Sequence, residues 1–223
     1  MKVLREPDAP PVLFVEPPYQ LNHPDTWRFP PEVSGGAILQ CMMRRLGWTG
    51  YAGKRVLDYG CGVRIARALA NLGVGIGQYV GVDIDDGMIG WLAANLTDAR
   101  FRFAHLDAGN ALYRSHGRPM TEIGALGLDG GFDVACMFSV ITHQAPDEAA
   151  QIFRLLRPLA ARLYFTAHLD PDIEAYAEGE PDRPRLYSRY NPDLLATLLA
   201  DAGWTLEGCF EPSCYQMWAV LAA

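Results

Sequence analysis

From residue 55 onward the chain alternates short apolar runs with stretches of helical periodicity. The runs 55–58, 79–84, 100–106, 132–138 and 162–167 are apolar at nearly every position, the pattern of parallel strands covered on both faces. Between them, 65–72, 87–96 and 147–156 read as helices. This βαβ rhythm predicts an α/β fold with a doubly wound, mostly parallel, Rossmann-like sheet and right-handed crossovers. Upstream, Ile38, Leu39, Met42, Met43 and Leu46 make the apolar stripe of a helix, which Ser34 is expected to cap and Gly47 and Gly50 to end. Downstream, a helix over 192–202 stops at Gly203, and two strand-like runs follow at 204–210 and 215–221. Only Glu211-Pro212-Ser213 and one further residue separate them, too few for a crossover helix, so they are predicted to close the sheet as an antiparallel hairpin.

Two stretches break the rhythm. Residues 1–34 hold eight prolines and scattered aromatics, which predicts an irregular arm. Residues 170–190 are polar and proline-rich, which predicts an insertion.

At 223 residues the chain is long enough to bury a sizeable core in one domain. Its 19 basic against 26 acidic residues leave a net charge of −7, which argues against a nucleic-acid backbone or an anionic membrane as partner. A small, neutral or cationic substrate suits that balance better. The five cysteines lack metal-ligand spacing, and no metal is expected. Reduced thiols in a cytoplasmic protein are the simplest reading, with a Cys209–Cys214 pairing across the terminal hairpin as the alternative. The opening Met-Lys-Val-Leu-Arg-Glu-Pro is not a signal peptide, and no apolar run reaches the ~18 residues of a membrane span.

The chemistry concentrates at strand ends. Val56-Leu57-Asp58-Tyr59-Gly60-Cys61-Gly62 is a strand running into a glycine turn ahead of a helix, where a Cβ would keep the backbone from a bound cofactor. The next strand ends in Asp83, placed to accept hydrogen bonds from a ribose diol. The third ends in Asp107-Ala108, an acid and an amide that can read an adenine edge. The three together say far more than the glycine loop alone.

On these residues, 55–167 resembles the core of class I S-adenosylmethionine-dependent methyltransferases of the small-molecule branch, whose sheet normally ends in an antiparallel hairpin like that expected at 204–221. The resemblance implies S-adenosyl-L-methionine as cofactor. It implies Gly60, Cys61 and Gly62 under the methionine part, Asp83 on the ribose, Ile84 and Met88 flanking the adenine, and Asp107 and Ala108 reading it. Phe138 and Ser139 would face the reaction centre. Asp58 either touches the cofactor or caps local backbone amides. The chain then divides into an arm and cap helix (1–50), a cofactor-binding core (51–169), an insertion over the site (170–190) and a closing helix and hairpin (191–223). An NAD-binding domain would share the first loop and the ribose acid, yet would call for neither Asp107-Ala108 nor the hairpin.

One departure stands out. The family usually continues Gly-x-Gly-x-Gly, whereas Gly62 is followed by Val63 and Arg64. The Arg64 side chain is expected to point away from the methionine pocket. A non-catalytic scaffold that keeps the fold, or an enzyme using the same cofactor for another reaction, are the alternatives this loop leaves open.

The Asn-Pro-Pro-Tyr sequence of amide- and base-directed methyltransferases is absent after the fourth strand. Ser-Val-Ile-Thr-His stands there instead and resembles enzymes acting on sugars and natural products, which implies O- or N-methylation of a metabolite. Methyl transfer from a sulfonium needs alignment and, for a hydroxyl acceptor, a base. His143 is the candidate base, since a free imidazole titrates near pH ~6.5, and His168 is the next candidate. Tyr19, His23 and Trp27 of the arm, with His168 and Tyr187, are candidate acceptor contacts, and Arg28 a candidate partner of the cofactor carboxylate.

Overall fold

The computed structural model describes residues 31–110, 113–179, 187–210 and 218–223. The apolar runs form strands in the expected order: β1 (Arg55–Tyr59), β2 (Gln78–Asp83), β3 (Phe101–His105), β4 (Val134–Met137) and β5 (Leu163–Leu169). All five are parallel and lie in the order β3-β2-β1-β4-β5. Helix α1 (Pro31–Arg45) precedes them; α2 (Arg64–Asn71), α3 (Asp86–Asn95) and α4 (Pro146–Leu156) lie in the connections, and α5 (Pro192–Asp201) follows.

Successive strand residues serve opposite faces, and β4 shows it plainly. Val134 and Cys136 pack with Ile38, Ile65, Leu69 and Ile89 of α1, α2 and α3. Ala135 and Met137 pack with Ile152 and Phe153 of α4 and Leu195 and Leu199 of α5. Helices therefore cover both faces of the central strands, which carry no polar alternation, whereas the edge strand β3 exposes Arg102 and His105. The sheet closes as predicted: β8 (Leu206–Phe210) pairs antiparallel with β9 (Trp218–Ala222), which runs antiparallel to β5. No described helix is long and apolar enough to cross a membrane.

One local expectation needs correcting, and the insertion carries structure of its own. Ser34 does not cap α1, because the helix already begins at Pro31 and the Ser34 hydroxyl donates back to the Pro31 carbonyl at 3.1 Å. Residues 170–190 are not wholly irregular: β6 (Tyr176–Ala177) and β7 (Arg189–Tyr190) form a small antiparallel ladder, and β7 runs parallel to the end of β5.

Helix α1 crosses close over α2. At Gly35 a Cβ would run into the Arg64 carbonyl and stand 2.8 Å from the Ala68 Cβ. The same seam buries an ion pair, Arg67 to Glu32 at 2.6 Å, and Asn71 donates to the same carboxylate at 2.7 Å. Loss of Glu32 would remove the carboxylate from a guanidinium that is 3 % exposed, the costly way to break a buried pair.

Asp58 also departs from expectation. It lies inside β1, only 1 % exposed, and its carboxylate accepts from the Tyr79 hydroxyl at 2.7 Å and from the Cys136 thiol at 3.7 Å. Side chains of the sheet interior occupy it, rather than the backbone amides or the cofactor. The parallel register explains the contact: Val56 lies opposite Tyr79, and Gly81 lies opposite Asp58, so no side chain separates the phenol from the acid. Burial pushes the Asp58 carboxyl up to about 7, against the lowering effect of the Tyr79 hydrogen bond and the Arg64 charge.

Two outcomes follow from this packing. Gly→Ala in a helix interior ordinarily stabilises by ~0.5–1 kcal/mol. Gly35→Ala is instead expected to destabilise by ~1–3 kcal/mol, read as a lower urea midpoint, because the added methyl has nowhere to go. A raised midpoint would contradict the close crossing. For Asp58, the folded protein holds a proton up to about pH 7 that the unfolded chain releases near the ordinary aspartate value of 3.8, so native stability falls as pH rises through that window. Asp58→Asn removes the effect, so the variant should gain on wild type between pH ~4 and ~8 by on the order of 4 kcal/mol. A stability difference that stays constant over that range would rule out the buried acid as its source.

Candidate functional site

Ligands of open parallel sheets bind outside the carboxyl ends of the strands, where the strand order reverses. Here that point lies between β1 and β4, the neighbours from which the sheet grows in opposite directions.

The β1 end turns on two glycines in the left-handed region, Gly60 at φ 69° and Gly62 at φ 49°. Their roles differ. A Cβ on Gly60 would run into Val140, whereas one on Gly62 would meet no atom within 4 Å. Gly60 thus serves packing and Gly62 leaves an open floor. The Gly60 and Cys61 amides donate to the Val82 carbonyl at 2.8 and 3.1 Å, tying the loop to β2. The Cys61 side chain points down, buried, and would lie 2.9 Å from a Cβ on Gly81. Burial holds its thiol well above the ordinary range, so it is not a nucleophile.

Asp83 ends β2 beside this loop. One carboxylate oxygen accepts from the Gly62 amide at 3.0 Å and the other from the Asp85 amide at 3.1 Å. A carboxylate has about four acceptor positions, so two remain for a diol. Burial raises the Asp83 carboxyl above its usual range, and both amide bonds oppose that rise. Asp85 caps α3 through the Met88 amide at 2.9 Å. Met88 is buried with the α1–α3 layer, and Ile84 packs against the opposite cluster, so the two stand on either side of the β2 end.

Past β3, the Asp107 side chain is 60 % exposed and ion-paired with Arg114 at 3.1 Å. The Ala108 amide, expected to read adenine, already donates to the Leu106 carbonyl at 2.8 Å. Only the acid of that pair therefore presents a free edge.

At the β4 end, Ser139 is the single described non-glycine residue with positive φ, 61°. Such a conformation is strained for a side chain with a Cβ and persists where surroundings impose it. Its amide donates to Thr166 Oγ1 at 2.9 Å. The Phe138 ring turns to the α1–α3 side against Tyr164, with centroids 5.7 Å apart. Its ring thus leaves the cleft, and its carbonyl stays there.

Arg64 contradicts its expectation. Its Nη2 lies 3.4 Å from the Phe138 carbonyl, so the side chain spans from the loop to the β4 end. The cause is local: helical side chains lean toward the N-terminus, and Arg64 is the first residue of α2, so it leans back over the strand ends.

His143 closes a 3-10 turn, Ile141–His143, and is 9 % exposed. Its Nε2 lies 3.2 Å from the Tyr113 hydroxyl, and the rings meet edge to face at 5.3 Å. Asn110 positions both partners, donating to the His143 carbonyl at 3.3 Å and accepting from the Tyr113 amide at 3.2 Å. Tyr113, 52 % exposed, is the site residue the sequence reading missed. It stands six residues beyond Asp107 in a loop without periodicity, so nothing in the pattern marks it. Burial and the Asp83 charge raise its hydroxyl's pKa, and the Arg64 charge works the other way.

The segment after β5 docks on the same turn. The Tyr190 hydroxyl donates to the Gln144 carbonyl at 2.7 Å, and the Ser188 amide to the Thr142 carbonyl at 2.8 Å. His168 and Tyr187, both candidate acceptor contacts, lie against each other, rings 5.7 Å apart and edge to face. Burial, then the Arg189 charge, lowers the His168 imidazole below its ordinary value. Tyr19, His23, Trp27 and Arg28 lie outside the described residues, as do residues 211–217, which include Cys214.

Comparison with known proteins agrees with this geometry. A family profile described as a methyltransferase domain matches residues 39–207. Among solved structures, 1,6-didemethyltoxoflavin-N1-methyltransferase of Burkholderia thailandensis, with bound 1,6-didemethyltoxoflavin and S-adenosylhomocysteine, is similar at TM-score 0.56 and 21 % identity, covering 86 % of this chain and 77 % of that one. Magnesium protoporphyrin IX methyltransferase of Synechocystis, with bound S-adenosylmethionine, is similar at TM-score 0.52 and 17 % identity over 86 % of this chain and 78 % of that one. An S-adenosylmethionine-dependent methyltransferase of Mesorhizobium loti gives TM-score 0.56 and 15 % identity over 83 % and 95 %. Comparison with curated protein sequences finds no match. With the family matched from α1 to β8 and the sheet order, glycine loop and strand-end acid all in place, the chain belongs to the methyltransferase domain family and is a class I S-adenosylmethionine-dependent methyltransferase.

Proposed function

We propose that the protein methylates an oxygen or nitrogen of a small metabolite, a sugar or natural-product intermediate, in the cytoplasm. The observation that carries this reading is the Tyr113–His143 pair, 3.2 Å apart, which joins the loop after β3 to the turn after β4. The similar structures named above include methyltransferases of a magnesium porphyrin and of a toxoflavin precursor, both small molecules.

The residues present suit the cofactor. Gly62 leaves open space above the loop, and Asp83 keeps acceptor positions for a ribose diol. Asp107 offers its exposed carboxylate to an adenine amino group. Ile84 and Met88 supply apolar surface on the two sides of the β2 end. Bound there, S-adenosylmethionine supplies an electrophilic methyl group whose leaving group is a neutral thioether. The enzyme's share is then to align, to exclude water and to take a proton.

His143 is too enclosed to meet an acceptor by itself, and the exposed Tyr113 hydroxyl covers its Nε2. With a lone pair on Nε2, Tyr113 donates to His143, and a proton leaving an acceptor hydroxyl or ammonium is taken up by the pair. His168 and Tyr187, across the turn after β4, line the acceptor side together with the segment around Ser188.

The test is methyl transfer from labelled cofactor to panels of hydroxylated and amino metabolites, followed by variants with the acceptor so found. His143→Ala should lower kcat by ~10²–10⁴-fold and flatten the acidic limb of the pH profile, with S-adenosylhomocysteine affinity unchanged. Tyr113→Phe should lower kcat by at least ~10-fold. Near-normal turnover in both variants would remove the pair from the mechanism and leave alignment alone.

A further inference from the structure

The missing third glycine puts a cation where the loop would otherwise be bare. Arg64 opens α2 directly after Val63, which offers no side-chain cap, and the first turn of that helix holds no acid. Its guanidinium crosses the end of β1 to the Phe138 carbonyl at 3.4 Å. That contact is long for a hydrogen bond from a charged donor. The Arg64 side chain is half-buried, and its charge favours the ionised forms of both Asp58 below the loop and Tyr113. The other basic residue of α2, Arg67, is ion-paired with Glu32.

We propose that Arg64 is the specificity residue for the amino-acid tail of the cofactor, its guanidinium taking the carboxylate while the Phe138 carbonyl, released from Arg64, accepts from the ammonium. The inference rests on the S-adenosylmethionine assignment and adds the group that selects the zwitterionic tail. A planar, forked guanidinium matches a carboxylate with two parallel N–H donors. A donor and an acceptor already facing each other across 3.4 Å are complementary, one for one, to a carboxylate and an ammonium on a single carbon. The departure from the usual glycine pattern is thereby a gain in recognition rather than a defect in the loop.

The test is calorimetry with three ligands: S-adenosylhomocysteine, its decarboxylated analogue S-adenosyl-3-thiopropylamine, and 5′-methylthioadenosine, which lacks the whole tail. Wild type should bind S-adenosylhomocysteine at least ~10-fold more tightly than the decarboxylated analogue. Arg64→Ala should lose ~10- to 100-fold in affinity for S-adenosylhomocysteine and bind the other two within about twofold of wild type, the retained binding also reporting an intact fold. Arg64→Gln, which keeps a donor for the Phe138 carbonyl, should show the same selective loss, and Arg64→Lys should recover part of it. Equal or tighter binding of S-adenosylhomocysteine by Arg64→Ala or Arg64→Gln, with methylthioadenosine still bound, would overturn the proposal and make Arg64 a bystander or a plug. No heat from any of the three ligands in wild type would overturn the cofactor assignment, and this proposal with it.

Discussion

The site depends on one tie between neighbouring strands. At the end of β1 the amides of Gly60 and Cys61 converge on the Val82 carbonyl, and that of Gly62 on the Asp83 carboxylate at 3.0 Å. Three consecutive donors thus bind one strand's exit to its neighbour's last two residues. The tie fixes where α2 starts, and so where Arg64 leans. It also fixes the orientation of the Asp83 carboxyl, with one oxygen on each side committed to an amide. A turn this tight needs left-handed backbone at Gly60 and Gly62, and packing against Val140 bars any side chain at Gly60.

What covers the floor comes from chain segments far apart in sequence. Tyr113 arrives from the loop after β3, His143 from the turn after β4, and Ser188 and Tyr187 from the segment after β5. Asn110 and the backbone carbonyls of Thr142 and Gln144 hold these pieces together. The strained Ser139 backbone lies where they meet, anchored by Thr166. Rigid strands therefore fix the cofactor side, whereas loops that can vary without disturbing the sheet shape the acceptor side.

Much of this was legible in the residues. Strands covered on both faces announce themselves as apolar runs, so the existence of β1–β5 followed from pattern, and the closing hairpin from the short link between the last two runs. Asp83 was legible because a strand's last residue is fixed by where its apolar run stops. Asp58 was not, since its partner Tyr79 is set by the parallel register of β1 on β2, which no single strand encodes. Ser34 misled because a serine before an apolar stripe reads as a cap, while Pro31 and Glu32 supply the first turn. Tyr113 and the direction of Arg64 escaped for a common reason: each depends on a loop path that carries no periodic signal. The short β6–β7 ladder hid inside a stretch that reads as polar loop.

The central claim is that the nucleoside cofactor lies across the ends of β1, β2 and β4. A crystal structure of the protein saturated with S-adenosylhomocysteine tests it most directly. The account expects the ribose hydroxyls within ~2.5–3.0 Å of the Asp83 carboxylate and the amino-acid tail above Gly62, with the Tyr113 hydroxyl bordering the sulfur side. Ligand density away from these strand ends, or a ribose that makes no contact with Asp83, would contradict it.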